Sequence, residues 1–199
     1  MQKICSLSEN LNRDTVCLAG GKLQEGDGHT MGKNILILNG ASRKKGNTVK
    51  LIQALSEGAA SAGHHVQEFY LDDMNIHSCK GCLGANSNSK SPCSQKDDMD
   101  KIYAVFSECD VVVFASPVYF WTITGTLKTV ADRLYAELES LGYSKFVRES
   151  VLLMTADGAD YSQAVTWYRT YERNLGWKNR GEILGKGKEK EAYQLGVSL

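Results

Sequence analysis

The sequence predicts an α/β fold, a parallel β-sheet covered by helices on both sides. Three observations predict it. Short apolar runs alternate with helix-spaced apolar residues about five times along the chain. The runs are apolar at successive positions, as in strands buried on both faces. The 199 residues are 42% hydrophobic, enough for one well-buried core in a single domain.

The elements follow in order. Residues 1–33 are polar and glycine-rich with weak periodicity, and are expected to form a weakly ordered arm ahead of a domain spanning 34–199. "NILILNG" (34–40) is a buried strand ending in an Asn-Gly turn. Leu51, Ile52, Leu55 and Ala59 then recur at helical spacing, with Gly63 as the stop. "HHVQEFYL" (64–71) reads as a second, partly exposed strand. Met99, Ile102, Phe106 and Cys109 mark a helix whose start carries Asp97 and Asp98, favourable at the positive helix end. "VVVFAS" (111–116) is a buried strand, and Ile123, Leu127, Val130, Leu134 and Leu138 predict one long helix. "SVLLMT" (150–155) is the fourth strand. Ala164, Trp167, Tyr168 and Tyr171 mark the next helix, "GEILGKG" (181–187) the last strand, and 188–198 a closing helix.

Composition excludes several function classes. Twenty-three basic and 23 acidic residues cancel, leaving no global field for nucleic acid or an anionic membrane. No apolar run approaches the roughly 18 residues of a transmembrane helix. The start "MQKICSLSEN" lacks the apolar stretch of a secretory signal. Six cysteines without such a signal suggest a reducing cytoplasm.

In a parallel sheet, ligands sit outside the carboxyl ends of the strands, so the informative residues follow each strand. After the first comes "NGASRKKGNT" (39–48). Gly40 and Gly46 permit tight turns. Ser42, Asn47 and Thr48 offer side-chain donors, and Arg43 is a fixed positive fork suited to phosphate. The helix begins near Asn47, so its free N–H groups enter the same loop. This is a phosphate cradle, but its spacing is neither that of a nucleotide triphosphatase loop nor Gly-x-Gly-x-x-Gly. The bland alternative is an ordinary polar turn with solvated basic residues. After the third strand comes "SPVYFWT" (116–122), where Tyr119, Phe120 and Trp121 follow Pro117 at the sheet edge. A flat aromatic ligand could lie there, or the rings could cover a core or a subunit contact. After the fourth comes "TADGAD" (155–160), whose Gly158 allows close backbone approach.

"GASRKKGNT", "CKGC" (79–82), "DDM" (97–99) and "SPVYFWTITGTLKTVADR" (116–133), in this order, resemble the NAD(P)H-dependent FMN reductase family. This is the flavodoxin-like group that also includes the iron–sulfur flavoproteins. The resemblance implies a flavodoxin-like three-layer sandwich with a five-stranded parallel sheet in the order 2-1-3-4-5. It implies one FMN per subunit and a homodimer or homotetramer, a state that the aromatic cluster at 119–121 also suggests. Ser42, Arg43, Gly46, Asn47 and Thr48 would hold the FMN phosphate. Pro117, Val118, Tyr119, Phe120 and Trp121 would border the isoalloxazine ring, with Asp157 and Gly158 on its other side. Lys128, Asp132 and Arg133 match the family's "LK…DR" helix and would support the site or an interface. NADPH or NADH would be the electron donor, and a small molecule (flavin, quinone, nitro or azo compound, metal ion) the acceptor. No catalytic side chain is required. The alternative is a non-enzymatic flavodoxin-like electron carrier, against which the neutral charge and the Arg43-Lys44-Lys45 loop count. A regulatory protein with a vestigial flavin site is the other rival.

Iron–sulfur members carry Cys-x2-Cys-x2-Cys and a later fourth cysteine. Here Cys79 and Cys82 keep the first spacing, Ala85 stands at the third position, and Cys93 could match the last. Three thiolates fall short of the four a cluster usually needs, and of zinc's four ligands. The expectation is therefore no metal, with the loop retained near the flavin or an interface; His77, near in sequence, leaves zinc as an alternative. Thiol chemistry at Cys79 and Cys82 stays open. Cys5 and Cys17 are unpaired by spacing, Cys109 reads as core, and no histidine is given a role.

Overall fold

The computed structural model describes residues 32–82, 91–142, 148–158 and 160–199. Residues 1–31 of the expected arm, with Cys5 and Cys17, lie outside the described residues, as does Ala85. Five strands alternate with six helices among the described residues: β1 (Asn34–Asn39), α1 (Asn47–Ser61), β2 (His65–Tyr70), α2 (Met99–Phe106), β3 (Val111–Pro117), α3 (Gly125–Arg133), α4 (Tyr135–Leu141), β4 (Glu149–Thr155), α5 (Ser162–Leu175), β5 (Lys178–Leu184) and α6 (Glu189–Val197). A single turn of 3-10 helix, Leu71–Asp73, follows β2. All strand pairings are parallel, in the order β2-β1-β3-β4-β5, as the resemblance implied.

The two-residue period of the strands divides the core. Leu36, Leu38, Val112, Phe114, Leu152 and Met154 point to one face and pack with Ile102, Phe106, Leu127, Val130 and Tyr168 from α2, α3 and α5. Ile35, Ile37, Val111, Val113, Val151 and Leu153 point to the other and pack with Leu51, Ile52 and Leu55 of α1 and Ala192 of α6. Every one of those strand side chains is buried, which is why the runs showed no polar alternation.

Helices α1 and α6 meet at glycines. A β-carbon on Gly58 would stand 2.1 Å from the Tyr193 carbonyl oxygen, and one on Gly196 would stand 2.2 Å from that of Leu55. Only hydrogen fits at either position.

Four expectations need correction. The single helix over 123–138 is two: at Leu134 (ψ −20°) the chain tightens, and Glu137 N–H reaches back three residues to the Leu134 carbonyl at 3.1 Å. Strand β5 starts three residues before the expected 181, because Lys178 and Asn179 pair with Glu149 and Ser150 of β4 despite their polar side chains, and Arg180 is the extra residue of a bulge. Cys109 lies just past the end of α2 rather than on it, although it is buried as expected, with its thiol donating to the Phe106 carbonyl. Lys33, placed in the arm by sequence, is tied to the sheet: its ammonium meets Glu149 at 2.6 Å and donates to the Leu199 carbonyl.

Candidate functional site

The carboxyl ends of β1, β3 and β4 each lead into a loop, and the three loops converge. At the first, Asn39 accepts from Ala41 N–H at 2.9 Å, an Asx turn that swings the chain out of the strand. Gly40 donates to the Ala115 carbonyl at 2.8 Å and accepts from the Thr124 hydroxyl at 2.9 Å. A β-carbon there would fall 2.7 Å from that hydroxyl, so the glycine lets the loop press against the start of α3. Thr124 caps α3, its side chain accepting from Leu127 N–H, and its own N–H donates to Ser116 at 3.0 Å. At the third loop, Val118 N–H donates to the Thr155 carbonyl at 2.8 Å. Thr48 and Thr155 share a buried hydroxyl–hydroxyl bond of 2.7 Å, joining the first loop to the third.

Between the loops lies a cavity of about 270 Å³. Its wall is formed by Ala41–Arg43, Lys45–Thr48, Pro117–Tyr119 and Thr155–Asp157. The structure thus brings together Ser42, Arg43, Gly46, Asn47, Thr48, Pro117, Val118, Tyr119 and Asp157. Phe120, Trp121 and Gly158 are not in the wall. The two rings stand outside, 87% and 52% exposed.

The electrostatics of this cavity favour an anion. Gly46 is the N-cap of α1 and has no side chain to satisfy the first-turn N–H groups, and no acidic residue occupies that turn. Free N–H groups and the helix dipole attract negative charge there. Arg43 and Lys45 add two cations, while Asp157 is the one acid in the wall and is turned outward toward Lys186 at 3.7 Å. A monoester phosphate fits these donors. At the lower edge of small-molecule pocket sizes, the cavity has room for a phosphate and a short chain.

Arg133 and Asp97 of the quoted motifs meet in a buried, bidentate ion pair. The guanidinium Nη1 and Nη2 donate to the two carboxylate oxygens at 2.8 and 3.1 Å, and the side chains are 1% and 0% exposed. Burial alone would raise the Asp97 pKa. The Arg133 hydrogen bonds, those from His77 and Met99 N–H, and the arginine's charge overcome it and hold the carboxyl well below the usual carboxylate range. Arg133 also donates to the His77 carbonyl at 2.8 Å, so the pair pins the segment that leads to Cys79 and Cys82. Sequence reading assigned Asp97 to the helix dipole and did not see this partner. A cavity of about 510 Å³, mostly apolar and larger than the one at the phosphate cradle, lies here. Its wall includes Cys79, Cys82, Cys93, Arg133, Leu138 and Tyr171. Among the described residues, no three His, Cys, Asp or Glu side chains gather as a metal site would need. Lys128 and Asp132 form an exposed i,i+4 pair, the solvated-face arrangement.

Residues 33–170 match the family described as NADPH-dependent FMN reductase. The chain belongs to that family. The description of that family names FMN and NADPH. An iron–sulfur flavoprotein of Archaeoglobus fulgidus is 36% identical over 99 residues, covering 50% of this chain and 47% of that relative. The chain therefore spans about half the length of the curated relative it matches there. A Bacillus subtilis protein named as an NAD(P)H-dependent FMN-containing oxidoreductase, YwqN, is 24% identical over 161 residues, covering 77% of this chain and 84% of the relative. In fold, the chain is similar to the NAD(P)H:quinone oxidoreductase from Methanothermobacter marburgensis, with a TM-score of 0.63, 21% identity, and coverage of 84% of this chain and 96% of that one. No helix among the described residues is long and apolar enough to cross a membrane.

Proposed function

We propose that the protein catalyses electron transfer from NADPH or NADH, through FMN held in the 42–48 cradle, to a small organic acceptor. The observation that carries this reading is the convergence of the three post-strand loops on a polar, cationic cavity at the uncapped start of α1. Bound FMN would supply the redox chemistry, taking a hydride from the nicotinamide and delivering two electrons to the acceptor.

The chain's own residues bind and orient. Arg43 and the first-turn N–H groups of α1 neutralise the phosphate, helped by the Ser42 hydroxyl and Asn47. Gly46 leaves room for it. Pro117, Val118 and Tyr119 form a wall that fixes the ring against the sheet edge, with Asp157 and Gly158 beside it. The Val118 N–H is already spent on the Thr155 carbonyl, which keeps that wall rigid. No side chain need move a proton in the hydride step, and none is assigned a catalytic role. In net terms NAD(P)H, a proton and a quinone give NAD(P)+ and a quinol.

The reading extends to a homodimer or homotetramer in the cytoplasm, a dispensable stretch at 1–30, and no iron–sulfur cluster at Cys79, Cys82 and Cys93. The last rests on Ala85. The purified protein should be yellow, contain one FMN per chain, and oxidise NADPH or NADH when an acceptor is added. A colourless protein that neither binds FMN nor oxidises either nucleotide would refute the function. Light scattering checks the oligomer, a chain starting at Met31 checks the arm, and iron and sulfide assays on anaerobic protein check the cluster.

A further inference from the structure

Residues 119–122 form a two-residue hairpin loop. Tyr119 N–H donates to the Thr122 carbonyl at 2.9 Å, and Thr122 N–H returns to the Tyr119 carbonyl at 3.2 Å. Both corner residues have positive φ, 49° at Phe120 and 69° at Trp121. Such turns are met at least cost by Asn-Gly, since a β-carbon is strained in this conformation. Here the corners carry two of the largest side chains.

Those side chains return little to the fold. They stand in solvent and pack on each other, edge to face, with centroids 4.5 Å apart. Backbone strain and exposed apolar surface both oppose stability. Strain of this kind collects where a surface has work to do. The turn is also held in register with the cavity. Tyr119 lies in the cavity wall, and its hydroxyl bonds that of Ser42 at 2.5 Å, fixing the hairpin to the rim.

We propose that Phe120 and Trp121 are the specificity-determining platform for the electron acceptor, which they recognise as a planar ring by stacking. This rests on the functional reading above. Two free aromatic faces beside the mouth of the cavity select by shape and polarisability. They favour quinones and nitroaromatics over compact hydrated ions, which gain nothing from a ring face.

The test uses the flavin-loaded full chain and the variant F120N/W121G, which supplies the residues the turn prefers and removes both rings. Acceptors are tetramethyl-1,4-benzoquinone, whose substituted ring resists addition of cysteine thiols, and ferricyanide, a compact anion. The ratio of kcat/KM for the quinone to that for ferricyanide should fall about tenfold, mainly through the quinone KM. Relief of strain should raise Tm by about 3 °C. The ring-keeping variant F120Y/W121F should retain the ratio. An unchanged ratio in F120N/W121G overturns the platform. So does a fallen ratio accompanied by a change of oligomeric state in light scattering, which would make the rings a subunit contact. If the unmodified protein reduces neither acceptor, the functional reading fails and the platform falls with it. Ferricyanide turnover with an unchanged ratio sinks the platform alone.

Discussion

The loop after β1 and the segment after β2 both leave the carboxyl edge of the sheet, and they are built on opposite plans. The 40–48 loop is polar, opens on a cavity of about 270 Å³, and leaves its first-turn N–H groups without a capping side chain. The 75–82 segment borders the larger, mostly apolar cavity; it is itself largely exposed, and backbone groups of Asn75, His77 and Ser78 are bonded to the side chains of Asp98, Asp97, Arg133 and Gln95. Asp97 receives Arg133 and the N–H of His77, and Arg133 also holds the His77 carbonyl. A loop whose helix-start donors have no capping side chain can take an anion, whereas charges that satisfy each other act as a fastening. Neither cavity size nor the presence of cysteines separates the two; the state of the hydrogen-bond donors does.

Breaking the fastening should give the largest effect. Arg133→Ala leaves the Asp97 carboxylate buried without its cation and should cost about 3–5 kcal/mol of stability, read by urea denaturation. Asp97→Asn in the same background should recover part of that loss. A loss under about 1 kcal/mol in Arg133→Ala would mean the pair is no fastening.

Emptying the ligand-ready loop should act on binding instead. Arg43→Ala removes a charge-assisted contact worth about 1.5–3 kcal/mol, so FMN should bind about 10- to 100-fold more weakly by fluorescence titration, with little change in urea midpoint. Equal FMN affinity would show that the cradle is misassigned.

The two regions should also separate by pH. The folded Asp97 pKa is depressed, so its contribution to stability is present above the unfolded value of about 3.9 and lost as pH falls toward the folded one. Melting temperature measured from pH 6 to pH 2 should drop along that acid limb, and Asp97→Asn should flatten it. An equally steep limb in the variant would assign the acid sensitivity elsewhere.

The smallest effect is expected at the cysteines. Cys79→Ser and Cys82→Ser should leave FMN content unchanged and alter acceptor turnover modestly. Loss of flavin in either would join the second region to the site.

What could be read from sequence follows the range of the physics. Strands β1, β3 and β4 were legible because they are buried on both faces and announce themselves as unbroken apolar runs. The start of β5 was not, because Lys178 and Asn179 gain their place from backbone pairing at an edge, which leaves no apolar signal. The polar loop at 42–48 stood out as a local cluster, and the structure gathers all five of its named residues around one cavity. The Asp97–Arg133 pair was not, since its partners stand 36 residues apart and each had a plausible local explanation. The positive φ angles at Phe120 and Trp121 were also hidden. Nothing in a Phe-Trp dipeptide asks for a left-handed turn, and only the bonds between Tyr119 and Thr122 impose it.

The glycine contacts between α1 and α6 bear on how the chain comes off the ribosome. Gly58 and Gly196 are 138 residues apart, and each is shaped to receive the other helix's backbone. At roughly 10 residues per second of synthesis, α1 emerges about 14 seconds before its partner exists. During that interval Leu51, Ile52 and Leu55 have only the nascent strands to lie against. Folding of this half of the core is therefore expected to finish only after α6 has been made.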